Sequence, residues 1–165
     1  METEQQQRAT LYLFAISHFC EKARWGLDHQ GIEYQLEHLA PGIHRRVARK
    51  LGARRSGLPI LKCGGDLIQG SSVILDWAEK NRPPGTPSLA PTSYRSDVVE
   101  NLLDDVLGVH VRRYYYSEAL VEYPRMVKPI FTRDLPGSQK LLVELSWGMI
   151  RRLMIKGMNL GSMQG

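Results

Sequence analysis

The sequence predicts an α/β unit followed by an all-α unit, and three observations carry that prediction. A β-favouring run, "TLYLFAI" at residues 10–16, leads straight into a helix-patterned segment. A second pair of short apolar runs, "LPILKCGGDLIQ", turns at Gly64-Gly65 and precedes a serine-headed helix. Beyond "RPPGTPS" the strand patterns stop, and apolar residues recur only at helical spacing.

The elements follow in order. Residues 10–16 read as a buried strand that stops at Ser17, whose hydroxyl suits a helix N-cap. Phe19, Ala23 and Leu27 recur every four residues, Glu21 is an acid in the early helix, and Gly31 ends it. "EYQLEHL" is a short strand, which completes a β-α-β unit. The basic helix that follows stops at "LGARRSG", and the Gly64-Gly65 hairpin comes next. "SSVILDWAEKN" is a helix capped by Ser71 or Ser72, with Val73, Ile74, Trp77 and Ala78 on its inner face. In the second unit, Val99, Leu102, Leu103, Val106, His110 and Tyr114 form one stripe; Leu142, Leu145, Met149 and Leu153 form another. Pro124, Pro129 and Pro136 break the stretch between them. The expected division is a polar tail at 1–9, an α/β domain at 10–82, a linker at 83–91 and a helical domain at 92–165.

Composition narrows the function classes. With 42% hydrophobic and 24% charged residues, the chain is neither disordered nor fibrous, and no apolar run is long enough to span a membrane. The polar "METEQQQRAT" lacks the apolar core of a signal peptide, and a cytoplasmic protein is expected. Cys20 and Cys63 are too few for a disulfide framework or a zinc site, so reduced thiols and no metal are expected. The net charge is +5, and residues 44–55 hold six cations (Arg45, Arg46, Arg49, Lys50, Arg54 and Arg55) beside His44. No aromatic interleaving accompanies that patch, so a solvated helix face is expected rather than a specific nucleic-acid interface.

Taken together, "LYLFAISHFCEKARWGLDHQGIEY", "GLPIL" and "LIQGSSVILDWAE" resemble the glutathione S-transferase family over most of the first 80 residues. The resemblance implies a thioredoxin-like N-terminal domain that holds glutathione, and a helical C-terminal domain that is shortened and incomplete here. Ser17 matches the position that acts on the glutathione sulfur. A hydroxyl donor at the positive end of a helix favours the thiolate, although serine is also an ordinary cap. Cys20 matches the second position of a thioredoxin-type C-x-x-C, here S-x-x-C, and is expected to be buried and inert. An accessible Cys20 that forms a mixed disulfide is the fallback, and His18 reads as a surface side chain.

The resemblance further implies a cis Pro59, with Leu58 pairing to the glutathione backbone. It places Ser71 at the γ-glutamyl carboxylate, with Ser72 beside it. Where the family commonly has Glu or Asp facing the γ-glutamyl ammonium, this chain has Gly70. Losing a charge-assisted contact there costs ~1.5–3 kcal/mol, with Gln69 or Ser72 as weak substitutes. Arg54 or Arg55 could meet the glycine carboxylate. His110, Tyr114, Tyr115 and Tyr116 could line the pocket for the second substrate, or pack in a core or interface.

The expected function is a glutathione S-transferase-like enzyme, with glutathione as co-substrate, a small electrophile as second substrate, and a homodimeric state. The alternative is a non-catalytic transferase-like scaffold or binding protein, which Gly70 and the short helical part favour.

Overall fold

The computed structural model describes residues 9–90 and 93–160. The expected tail, apart from Ala9, lies outside the described residues, as do residues 91–92 and 161–165. The chain divides into two compact units, Met1–Ala90 and Pro91–Gly165.

The first unit is a four-stranded mixed sheet in the order β2-β1-β3-β4 with three helices. β1 (Ala9–Leu13) buries Ala9, Leu11 and Leu13 on one face, with Thr10 and Tyr12 only half-buried between them. It ends three residues before the predicted limit. The chain leaves the sheet at Phe14, whose carbonyl accepts the Ser17 N–H at 3.3 Å in a turn. α1 (His18–His29) follows, and β2 (Tyr34–His38) pairs parallel to β1 as an edge strand. α2 (Ile43–Leu51) then leads to β3 (Ile60–Cys63), β4 (Asp66–Gln69) and α3 (Ser71–Lys80).

One apolar cluster joins the sheet to α1 and α3. Leu11, Leu61 and Ile68 meet Ala23 and Leu27 of α1 and Ile74 and Ala78 of α3. Each fully buried leucine or isoleucine contributes about 1.5–3 kcal/mol relative to exposure. Ile74 and Ala78 are the predicted inner-face residues, with Trp77 partly buried against the same cluster. Val73 is not: it is 54% exposed. Ser71 is buried at the helix start and sets the phase, so residues 71, 74 and 78 point inward and 73 points out.

In the second unit, α4 (Tyr94–Leu102) runs through a π-helical turn at Leu103–Leu107 into α5 (Gly108–Tyr116). A second π-helical turn at Ser117–Glu122 precedes α6 (Pro124–Thr132) and α7 (Gly137–Met158). Its buried apolar residues include Tyr116, Leu120, Val127, Phe131, Val143 and Ile150. Neither predicted stripe supplies them. Val99, Leu102, Leu103, Val106 and Tyr114 are exposed, and so are Leu142, Leu145, Met149 and Leu153. The π-helical turn at Leu103–Leu107 adds a residue to the repeat and rotates the face that follows, so the first stripe loses register; α7 has no such turn, and its packing covers Val143 and Ile150 rather than the second stripe. The proline-rich stretch breaks at two of its three prolines: Pro124 opens α6 after non-helical Tyr123 and Pro136 is the N-cap of α7, whereas Pro129 lies inside α6. Arg151 of α7 donates to the carbonyls of Leu120 and Val121. Among the described residues, no helix is long and apolar enough to cross a membrane.

Two contacts of the first unit yield predictions. A Cβ at Gly26 would lie 2.7 Å from Leu75 Cδ1 and 2.8 Å from its Cγ, so glycine permits the close approach of α1 to α3. Gly26→Ala is expected to destabilise the chain by about 1–2 kcal/mol, overpacking outweighing the helix propensity gained. A second change, Leu75→Ala, should recover part of the urea midpoint lost; an unchanged midpoint in Gly26→Ala alone would contradict the close approach.

The second contact is at Glu79, whose carboxylate accepts from Ser88 Oγ (2.7 Å), the Leu89 N–H (2.8 Å) and Gln30 Nε2 (2.7 Å). Arg82 Nε lies 3.0 Å away. The Ser88 and Leu89 hydrogen bonds hold its pKa below the usual carboxylate value of 4.5. The stabilisation is therefore complete above that value and is lost as pH falls through the lowered one. Limited proteolysis within residues 82–90 should accelerate as pH falls below the usual carboxylate range, and Glu79→Gln should show the fast rate at neutral pH. A variant cut no faster than the parent at pH 7 would contradict the latch.

Candidate functional site

Strand direction brings three segments, distant in sequence, to one end of the sheet. β3 runs antiparallel to β1, with Tyr12 opposite Ile60, so the start of β3 stands beside the end of β1. β4 runs antiparallel to β3, with Ile60 opposite Gln69, so the end of β4 stands there too. Ser17 comes just after β1, Leu58–Pro59 just before β3 and Gly70–Ser71 just after β4, so all three adjoin that end of the sheet. The Gly70 N–H donates to the Pro59 carbonyl at 3.0 Å, and the Leu58–Pro59 peptide is cis, as the resemblance implied.

Ser17 is the N-cap of α1. Its backbone is extended (φ −90°, ψ 117°), and its hydroxyl oxygen accepts the Cys20 N–H at 3.4 Å. A hydroxyl that accepts in this way still carries one O–H, which rotates to meet an acceptor. Cys20, one helical turn on, is fully buried. Burial pushes its thiol pKa up, against smaller opposing effects from the Ser17 hydroxyl and the Phe14 backbone. A buried, protonated thiol is a poor nucleophile at neutral pH. His18 is exposed, and its ring centre lies 4.0 Å from that of Phe19 with the planes tilted by 40°.

At the start of α3, the structure departs from the predicted cap. Gly70, not Ser71 or Ser72, is the N-cap, and no side chain caps the helix. Gly70 has φ +102°, a conformation that L side chains rarely adopt, which accounts for glycine here. Space is not the constraint, because a Cβ would meet only Val73 Cγ2 at 4.0 Å. Ser71 is the buried first residue of the helix. Gln69 faces away from this role: its Nε2 donates to the carbonyls of Arg55 and Gly57, both at 2.7 Å, and its Oε1 accepts the Arg55 N–H at 3.2 Å. Ser72 Oγ accepts from Lys22 Nζ at 3.1 Å.

Two open cavities flank these residues. One, about 760 Å³, runs from Ser17 and His18 along α1 past Lys22 and Trp25 to Leu75 and Leu89. The other, about 660 Å³, is bounded by Arg54, Arg55, Leu58, Gln69 and Gly70. The Arg54 and Arg55 side chains anticipated for an anionic ligand therefore stand beside Leu58 and Gly70. His44 does not add to this charge: burial lowers its pKa, and its ring packs edge-on against Phe14 at 4.8 Å. The sequence reading missed Lys22 and the three-bond role of Gln69. Fifty residues separate Lys22 from Ser72 with no motif linking them, and a glutamine at a strand end carries no signal of its loop partners.

The "Glutathione S-transferase, N-terminal domain" family profile matches residues 11–87. No curated protein is matched by the chain. Among solved structures, a glutathione S-transferase of Ceriporiopsis subvermispora in complex with glutathione is 17% identical, with a TM-score of 0.54. That alignment covers 93% of this chain and 61% of the fungal one. A Tau class glutathione S-transferase from mango, Mangifera indica, is 16% identical at a TM-score of 0.50, over 92% of this chain and 64% of the other. Glutaredoxin 2 of Salmonella typhimurium, in complex with glutathione, is 20% identical at a TM-score of 0.50, over 89% and 68%. The chain thus spans less than two thirds of the length of either transferase. At these identities the likeness is one of fold: a thioredoxin-like unit followed by a helical region. The sheet order agrees with the profile match: residues 11–87 are similar to the N-terminal domain of glutathione S-transferases, and the solved transferases share that fold.

Proposed function

We propose that the chain binds glutathione at this end of the sheet and that the Ser17 O–H holds the glutathione sulfur as a thiolate for attack on a small electrophile. One observation carries the reading: Ser17 caps α1 at the same sheet end as Leu58 and the buried Ser71. A free thiol has a pKa near ~8.5 and is mostly protonated at neutral pH. A hydroxyl donor together with the positive end of a helix favours the charged form. Leu58, in the segment leading into β3, would align the tripeptide backbone, as an added strand is aligned. Ser71 and Ser72, at the start of α3, would receive the γ-glutamyl carboxylate. The fungal transferase and the bacterial glutaredoxin, which share the fold, are both described in complex with glutathione. Exposed apolar side chains on α7, with Leu145 at 80%, support self-association into a homodimer. The electrophile remains a small molecule of unassigned class, and the cytoplasm is the expected compartment.

A second reading, a glutathione-binding or scaffolding module without catalysis, is favoured by Gly70, which supplies no side chain at the start of α3.

Calorimetry on the full chain separates the two readings from the absence of a site. Binding of glutathione at millimolar concentration or below is expected, and no heat in that range removes the enzyme reading. In Ser17→Ala, the ultraviolet absorbance of the bound thiolate should disappear. Turnover should fall about tenfold to a hundredfold with affinity nearly unchanged. The rise of activity with pH should also move up by about one unit or more, because a bound thiol without its donor ionises later. Unaltered turnover in Ser17→Ala would move the chemistry elsewhere. Cys20 gives an independent check: a thiol alkylating agent should modify it only once the chain is unfolded, and rapid modification of the folded chain would revive it as a nucleophile.

A further inference from the structure

We infer that the α3 end of this site reads its ligand as an anion alone. It accepts an acyl-cysteinyl thiol with a distal carboxylate, and it does not discriminate by the α-ammonium group that glutathione carries beside that carboxylate. The inference rests on the reading proposed above, and it concerns which part of the γ-glutamyl group is recognised.

An ammonium is selected only where an acceptor faces it, and a carboxylate is the strongest such acceptor. The charged residues lining the 660 Å³ cavity are Arg54 and Arg55, both positive. Gly70 contributes no side chain to it, and its positive φ disfavours an acidic residue at that position. The one side-chain carbonyl there belongs to Gln69, and three hydrogen bonds pin that amide to the backbone of Arg55 and Gly57. On the other side of the α3 start, Ser72 Oγ is held by the Lys22 ammonium at 3.1 Å, which brings a third cation. The carboxylates nearest in sequence are already paired or lie outside both cavities. Glu21 lines the 760 Å³ cavity beside Lys22, where its carboxylate is engaged by Arg24 at 2.8 Å. Asp76 lies a helical turn beyond Ser72 and lines neither cavity. Positive charge and helix-end N–H groups reward a carboxylate, while among the described residues lining the 660 Å³ cavity an ammonium meets no side-chain carboxylate and stays solvated.

The test compares three thiols by calorimetry on the full, unmodified chain. These are glutathione, its deamino analogue glutaryl-cysteinyl-glycine, and glutathione with the γ-glutamyl α-carboxylate converted to an amide. The deamino compound should bind within about threefold of glutathione, and the amide about tenfold or more weakly. A loss of about tenfold or more on removing the amine would overturn the inference while leaving the glutathione site standing. Heat from none of the three would overturn both. Gly70→Glu provides the converse: once shown to be folded by circular dichroism, it should prefer glutathione over the deamino compound by about tenfold. A folded variant without that preference would contradict the placement of the γ-glutamyl group at residue 70. The three-ligand comparison needs no variant, so a failure of Gly70→Glu to fold leaves it decisive.

Discussion

The structure around the candidate site depends on β3 lying antiparallel between β1 and β4. With Tyr12 opposite Ile60 and Ile60 opposite Gln69, the segment leaving β1 at residue 14, the one entering β3 at 58 and the one leaving β4 at 70 meet at the same end of the sheet. The Gly70 to Pro59 hydrogen bond ties that end together, and Gln69 fastens the 55–57 loop to it with three more. A one-residue slip of this pairing would turn Leu61 and Ile68 out of the core. The register that buries the core therefore also assembles the site.

Within "SHFC", burial separates two residues that share one helical turn. Ser17 caps α1 at its exposed end, where an O–H can meet a ligand and the helix end favours negative charge. Cys20 faces inward with no exposed surface, and desolvation holds it as the neutral thiol. Gly70 reflects a different balance. The chain reverses from β4 into α3 with φ +102°, which glycine adopts without steric cost, and the position forgoes a side chain that could face a ligand. The cavity beside it is lined by the cationic side chains of Arg54 and Arg55.

Much of this was legible in sequence where the signal is local. The β-α-β order, the Gly64-Gly65 hairpin, the Ser17 cap and the inward Ile74 and Ala78 follow from adjacent residues and short-range periodicity. What escaped depended on helix phase or on distant partners. Val73 lies on an apolar run but outside the arc that buried Ser71 defines. The stripes through Val106 and Leu145 are real at helical spacing, yet α5 and α7 bury Tyr116, Val143 and Ile150 instead. Spacing identifies an apolar face, and tertiary packing decides which face is covered. The clasps made by Gln69, Lys22 and Glu79 join residues between nine and fifty positions apart, and no local pattern encodes them.

The central claim is that one strand register builds one thiol-peptide site from three separated segments. Mapping backbone amide shifts by nuclear magnetic resonance during a glutathione titration tests it directly. The claim predicts coincident, saturable shifts at Ser17–Phe19, at Leu58 and at Gly70–Ser72, with β2 and the 132–137 turn unmoved. Shifts confined to one of those segments, or centred away from that end of the sheet, would contradict it.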